Sequence, residues 1–148
     1  MTLSGRNQRG LTPQEIDRCL LAWEVLCGSQ PRELIVTEAA RHSSRTRFVE
    51  SEGKVYLGAD VFPGPGVTAN NRLSMLACLA HELAHAERFE LNFRRPFAWP
   101  DNLRDEAETS LHASFHPGLS AKDQADLVED ANERLIEWIE QNRSEANS

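Results

Sequence analysis

The sequence predicts an α+β fold in a single domain spanning residues 1–148, on three observations. Segments with apolar residues at helical spacing lie near both ends and in the middle of the chain. Short runs rich in β-branched and aromatic residues occupy positions 33–60 between them. A chain of 148 residues is long enough to bury a core of its own. We therefore expect a first helix, a small sheet and then further helices.

The first element is a predicted helix at roughly residues 13–27. Thr12 can cap it, Pro13 suits its first turn, and Glu15 completes a capping box three residues after the cap. Apolar residues then repeat at helical spacing until Gly28 ends the run. The two ends of the chain, residues 1–10 and 142–148, are expected to be frayed.

Three short strands are predicted next. The runs ELIVT, TRFVE and KVYLGAD are separated by polar or glycine-containing turns, and FPGPG ends the last of them because proline and glycine do not sustain a ladder. The sheet should therefore be small, with about three strands between residues 33 and 60.

The rest of the chain predicts three helices. The segment from about Thr68 to Glu90 contains no glycine or proline and repeats with a helical period, so we expect one long helix there, with leucines on one side and histidines facing a cleft. After the proline-containing loop NFRRPFAWPDN, a second helix is expected at about residues 101–115. Ser120 can cap a last amphipathic helix, with Asp123 three residues further on.

Charge and composition exclude several classes of function. The net charge is −7 and the sequence pI is about 5.2, which disfavours nucleic acid and anionic membranes as partners and favours neutral or cationic ones. The beginning of the sequence lacks the apolar core of a signal peptide, and no run approaches the roughly 20 apolar residues of a membrane span. The three cysteines form no CxxC pair, which argues against disulfides and a cysteine-based zinc site. We expect a cytoplasmic protein.

The stretch HELAH at residues 81–85 is the motif that indicates chemistry. Residues four apart share one helix face, so His81 and His85 can both direct a ring nitrogen at one metal ion. Glu82, next to the first histidine, is then held beside a zinc-bound water, where it can act as the general base. The alternative is a surface helix with two solvated histidines, since an HExxH string arises by accident in roughly one chain in two hundred of this length.

A third ligand would decide the type of site. The metzincin pattern requires glycine at position 88 and histidine at position 91, where this chain has Arg88 and Leu91. Three acids follow about twenty residues after the motif, and helical projection places Glu106 at the border of the inward face. The same projection turns Asp105 and Glu108 away, with Leu111 inward and His112 outward. Glu106 is the predicted third ligand, and the alternative is an acidic cluster that complements the helix dipole.

With these residues, HELAH followed by DEAETS at 105–110, the chain resembles the gluzincins, in which a glutamate on a second helix completes an HExxH site. It also resembles the short intracellular zincins related to phage-repressor-cleaving metallopeptidases. The resemblance implies a minimal zincin-like fold, with His81, His85 and Glu106 as Zn²⁺ ligands and Glu82 as the catalytic residue. It also implies that the strand before the motif helix borders the substrate cleft. The chain departs from the pattern at Asp105, where asparagine is typical.

Other residues are weaker candidates. His112 and His116 are also four apart, but no glutamate accompanies them and Pro117 follows, so a capping or surface role is predicted. Tyr56 could donate a hydrogen bond to an oxyanion or serve as a packing residue, and Cys78 is predicted to be a small buried apolar residue. Arg94 and Arg95 could contact substrate or act as solubilising charges, and the sequence does not decide between these roles.

Two functions follow from this interpretation. The first is a zinc-dependent metallopeptidase that hydrolyses a peptide bond of a protein or peptide substrate, with Glu82 activating the water. The alternative is a zincin-fold binding or regulatory module, in which zinc is structural or absent and no peptide bond is cut.

Overall fold

A computed structural model describes residues 5–96 and 98–146, with side chains up to position 144. The described chain is a mixed α+β protein with five α-helices and a three-stranded sheet, which confirms the predicted class. The helices are α1 (Pro13–Cys27), α2 (Ala69–Arg72), α3 (Met75–Glu90), α4 (Asp101–Ser114) and α5 (Ala121–Ala146). The strands are β1 (Leu34–Ile35), β2 (Arg47–Val49) and β3 (Lys54–Tyr56), and a 3₁₀ turn spans Ala59–Val61. Within these residues, no helix has both the length and the apolar character to cross a membrane.

Helix α1 forms where the sequence predicts it. The Glu15 amide donates to Thr12 Oγ1 at 3.2 Å, and the Thr12 amide donates to Glu15 Oε1 at 2.9 Å, so the capping box is confirmed. On the inner side, the Trp23 indole donates to the Arg32 carbonyl at 2.8 Å, which connects the helix to the segment that leads into β1. Gly28 ends the helix with a φ of 59°, a conformation that glycine adopts at little cost.

The sheet has the order β1-β3-β2, with β1 parallel and β2 antiparallel to β3. Leu34 and Phe48 are both paired with Val55, and all three side chains are buried. Strand β2 is therefore an edge strand, and its central residue, Phe48, points into the core toward α3.

The predicted single helix from 68 to 90 is wrong, because the chain forms α2 and α3 with a break between them. Ser74 begins the second helix, since its Oγ accepts a hydrogen bond from the Ala77 amide at 3.1 Å. The Ser74 hydroxyl also donates to Asp123 Oδ1 of α5 at 2.8 Å. Serine is a preferred N-cap, and this tertiary contact holds it there, whereas the sequence pattern predicts a continuous helix through this position.

Helix α3 is the central element and is buried on nearly all sides, not on one apolar face as predicted. It packs against α1, α4, α5 and the sheet. His81 and His85 are only 7% and 6% exposed, so the motif lies inside the protein and not on an exposed helix face. Burial of this kind requires partners for both histidines, and α4 supplies them.

The expectation of fraying does not fit residues 5–10. Arg6 is 4% exposed, and its guanidinium donates to backbone carbonyls, among them that of Val61 at 2.8 Å. Gly10 packs so closely that an added Cβ would lie 2.1 Å from the Ala40 carbonyl oxygen. At the other end α5 continues to Ala146, while residues 1–4, 147 and 148 lie outside the described chain. Hydrogen bonds to backbone carbonyls of the 59–72 region hold the N-terminal segment, and the sequence pattern does not reveal such contacts.

Candidate metal centre

His81, His85 and Glu106 lie together, as the sequence predicts. One ligand atom from each lies within 4.8 Å of the other two. His81 Nε2 is 3.2 Å from Glu106 Oε2, and His85 Nε2 is 2.7 Å from Glu106 Oε1. Tetrahedral zinc with bonds of about 2.0–2.1 Å places neighbouring ligand atoms about 3.3 Å apart. The two histidine–glutamate distances are close to this spacing, so the three residues could hold a metal ion, although these contacts do not identify the metal.

Helix α4 brings Glu106 to the histidines because it packs between α3 and α5. Its contact face is built from small residues, with Ala107, Thr109 and Ser110 fully buried. Small side chains allow the two helix backbones to approach closely, so a glutamate at the border of that face reaches across to α3. Leu111, predicted to point inward, is 37% exposed, which shows that the predicted projection of α4 was rotated.

The projection that turns Asp105 and Glu108 away from the inward face of α4 is wrong for Asp105, which is 9% exposed. Both carboxylates contact Arg88 of α3, at 3.2 Å and 3.1 Å. Arg88 is 9% exposed and needs acidic partners, and these two acids, three residues apart, lie on one edge of α4 where they can both reach it. Their pairing with Arg88 leaves Glu106 as the acid of α4 that contacts the histidines.

A buried hydrogen-bond chain orients His81. The Ser110 hydroxyl donates to Asp130 Oδ2 of α5 at 2.6 Å, so its oxygen accepts from His81 Nδ1–H at 2.8 Å. Ser110 and Asp130 are 0% and 1% exposed. This arrangement places a proton on Nδ1, so Nε2, which faces Glu106, is the nitrogen that would bind a metal ion after losing its own proton.

His85 is held by packing. Its ring stacks on Phe48 of β2, with centroids 6.3 Å apart and an interplanar angle of 7°. Thr109 Oγ1 lies 3.4 Å from His85 Nδ1, and Arg95 Nη2 lies 3.1 Å from His85 Nε2. The sequence left Arg95 undecided between substrate contact and surface charge, and the structure places its guanidinium at the candidate metal centre.

Glu106 carries the negative charge of the cluster. Burial alone would raise its pKa, but hydrogen bonds from His81 and His85 hold the pKa well below its ordinary value. Arg134 Nη1 and Arg95 Nη2 lie 3.4 Å and 3.3 Å from its two carboxylate oxygens. The carboxylate is therefore ionised at neutral pH and available to a cation. The same charge raises the pKa of His81, although burial of that ring acts in the opposite direction.

Glu82 is buried beside the cluster, and its Oε2 has no hydrogen-bond partner among the described residues. Burial raises its pKa, and the neighbouring His85 and His81 partly offset that effect. Glu82, His81 and Glu106 all line one cavity of about 430 Å³. A carboxylate with an open acceptor oxygen and a raised pKa, facing a cavity, has the properties that a general base needs.

The two histidines of the second pair contact separate partners among the described residues. His116 Nε2 donates to the Leu26 carbonyl at 2.8 Å, and its Nδ1 accepts from the Gly118 amide at 2.9 Å, so both ring nitrogens stabilise the turn after α4. His112 Nε2 lies 3.2 Å from Glu87 on α3. These are contacts of the kind that the predicted capping or surface role requires.

Three other candidates have structural contacts. The Tyr56 hydroxyl donates to Glu52, and Arg94 lies over the Phe89 ring and donates to its carbonyl at 2.9 Å. Burial of its sulfur raises the pKa of the partly buried Cys78 thiol to about 12, so this thiol is protonated and unreactive at neutral pH.

The sequence did not predict the residues of α5 that contact Ser110 and Glu106. Asp130 and Arg134 of α5 form an ion pair at 3.0 Å, and the first contacts Ser110 while the second contacts Glu106. An acid and a base four residues apart in a helix usually form a solvated surface pair. The available signal was their position beside the buried Leu127 and Ala131, which places them on the inner face of α5.

The fold and the cluster define an α+β protein with a candidate His/His/Glu metal-binding site. No protein-family model, curated protein or solved structure matches the chain. The case for a zincin therefore depends on the residues of this site and on their motif.

Proposed function

We propose that this protein is a zinc-dependent peptidase of the gluzincin type. The observation that carries the proposal is the cluster of His81, His85 and Glu106, two of which, His81 and Glu106, line one cavity together with Glu82. Two imidazole nitrogens and one carboxylate oxygen are the donor set of many catalytic zinc sites, which keep a fourth position open. Cysteine, which is typical of structural zinc sites, does not contribute to the cluster found among the described residues.

Glu82 performs the proton transfers in the proposed reaction. Zinc at this site would polarise the scissile carbonyl and lower the pKa of the attacking water to about 7. Glu82 accepts a proton from that water as the new C–O bond forms, and it donates the proton to the amine nitrogen as the C–N bond breaks. The Ser110–Asp130 hydrogen-bond chain meanwhile keeps the His81 ring in its ligand orientation.

The position of strand β2 favours a peptide as the substrate. Strand β2 is at the edge of the sheet, and its residue Phe48 contacts His85, so the edge runs past the candidate metal centre. An extended peptide can add to an edge strand through backbone hydrogen bonds, which would place its carbonyl groups near the site.

One observation favours the alternative, a binding module without zinc. The 2.7 Å contact from His85 to Glu106, together with Arg95 and Arg134, already balances the charge of the cluster. Such a network would be a stable ion-pair cluster in its own right. It leaves the buried, unpartnered Glu82 without a role, and for that reason we favour the peptidase.

A peptide digest tests the proposed function. The purified protein, loaded with one equivalent of zinc, is incubated with a synthetic library of mixed-sequence decapeptides, and mass spectrometry identifies the products. We expect defined cleavage products that disappear after chelation and return when zinc is added back, because the reaction depends on the metal. A zinc-loaded, folded protein that cleaves no peptide, or that cleaves equally well after chelation, would contradict the proposal.

A further inference from the structure

One arginine that lines the cavity beside Glu82 has no side-chain partner among the described residues. Arg45 lines this cavity, is exposed, and has no side-chain hydrogen bond or ion pair with any of residues 5–96 and 98–146. On the same cavity, Arg134 pairs with Asp130 at 3.0 Å, and Asp60 accepts a hydrogen bond from the Thr46 amide at 2.6 Å. Arg45 therefore presents guanidinium N–H groups at the cavity that donate to no described residue.

The backbone at Arg45 is held in a fixed position. A Cβ added at Gly58 would lie 2.3 Å from the Arg45 carbonyl carbon, so the two chain segments are in close contact. The next residue, Thr46, donates its amide to Asp60 Oδ1 at 2.6 Å and its hydroxyl to the Gly58 carbonyl at 3.2 Å. A long side chain on a firmly held backbone, with its charge unpaired, is suited to contacting a ligand.

Arg45 also has a defined relation to the proposed cleavage site. It lies three residues before Phe48, the residue of β2 that stacks on His85. Three residues of extended chain span about 10 Å. A peptide that pairs with the edge of β2 would therefore bring a side chain within about three residues of the scissile bond to Arg45.

We propose that Arg45 is a specificity-determining residue that selects peptides with an aspartate or glutamate side chain close to the scissile bond. The inference rests on the proposed peptidase function and deepens it by naming the class of substrate. A guanidinium binds a carboxylate through two parallel hydrogen bonds, an arrangement that amides and ammonium groups do not match. The net charge of −7 favours cationic or neutral partners overall, but the unpaired Arg45 favours an anion locally.

Matched peptides test this inference. A decapeptide cleaved in the library digest is synthesised with glutamate, glutamine or lysine at each position within three residues of the scissile bond. All peptides carry an amidated C-terminus, and one additional peptide has a free C-terminal carboxylate instead, which separates side-chain recognition from end recognition. At one position we expect kcat/KM to be about tenfold higher for glutamate than for glutamine, because the charged pair is partly screened at an exposed arginine.

Variants of Arg45 provide the decisive comparison. Arg45→Ala should remove the preference for the glutamate peptide, and Arg45→Glu should replace it with a preference for the lysine peptide. The control Arg18→Glu makes the same charge change at an exposed position of α1 and should keep the preference for glutamate. A preference that survives in Arg45→Ala, a preference only for the free C-terminal carboxylate, or the lack of any charge preference in the wild type would overturn the inference.

Binding separates this inference from the peptidase proposal. Fluorescein-labelled glutamate and glutamine peptides are titrated with the zinc-loaded Glu82→Gln protein, and the fluorescence anisotropy is measured. Tighter binding of the glutamate peptide that depends on Arg45 supports the inference even if the wild type cleaves neither peptide, in which case the peptidase proposal alone fails. If no library peptide is cleaved, the peptides for this titration are taken from the acidic members of the library. Equal binding of the glutamate and glutamine peptides overturns the inference.

Discussion

Alanine at His81 or at His85 is expected to abolish stoichiometric zinc binding, whereas the wild type binds about one zinc per chain. Each change removes one of three ligands, and two remaining ligands hold zinc too weakly to survive desalting. The measurement is the zinc content by elemental analysis after loading and gel filtration, with circular dichroism to confirm that the variants are folded.

The second histidine pair supplies the matched control. His112→Ala and His116→Ala should retain the zinc, since His112 contacts Glu87 and both ring nitrogens of His116 are bonded to the backbone. Full zinc retention in both His81→Ala and His85→Ala would refute the proposed site. Loss of zinc from all four variants would indicate a general loss of structure.

Glu82→Gln is expected to lower the rate of peptide hydrolysis by two or more orders of magnitude, on the order of the usual contribution of a general base. Glutamine keeps the size of the side chain but cannot accept the proton of the attacking water. Burial raises the pKa of Glu82, so a neutral amide should be tolerated at this position, and the zinc content and the melting temperature should be preserved. The measurement is kcat on a cleaved library peptide at neutral pH.

Glu87→Gln is the matched control for that experiment. Glu87 lies on the same helix, with its side chain 41% exposed, and contacts His112 away from the candidate metal centre. We expect near wild-type kcat for this variant. A Glu82→Gln protein that cleaves as fast as the wild type would exclude Glu82 as the base, even if zinc remained bound.

Local signals in the sequence predicted much of the fold and the core of the site. The capping box and Gly28 define α1, and turn residues separate the three strands. HELAH predicts the pairing of His81 and His85 because helical geometry alone places residues four apart on one face. Glu106 was chosen from three acids by its proximity to an apolar face, and the structure places it beside both histidines.

The features that the sequence did not predict depend on contacts between distant segments. Ser74 interrupts a continuous helical pattern because its hydroxyl donates a hydrogen bond to Asp123 of α5. The periodicity of the sequence cannot predict that contact. The rotation of α4 is set by the buried Arg88, which draws Asp105 inward. The Ser110–Asp130 hydrogen-bond chain joins α4 to α5, so it exists only once both helices pack beside α3.

Competitive zinc titration against a chelator, with Glu106→Ala, Asp105→Ala and Glu108→Ala measured side by side, tests the proposed metal centre most directly. The three changes remove the same chemical group from one helix, and Glu106 is the one that contacts both histidines. We expect Glu106→Ala to weaken zinc binding by at least two orders of magnitude, because a ligand is lost. Asp105→Ala and Glu108→Ala should change it little, since each leaves Arg88 with one acidic partner. If Glu108→Ala is the damaging change, or if none of the three matters, Glu106 is not the third ligand and the gluzincin assignment is wrong.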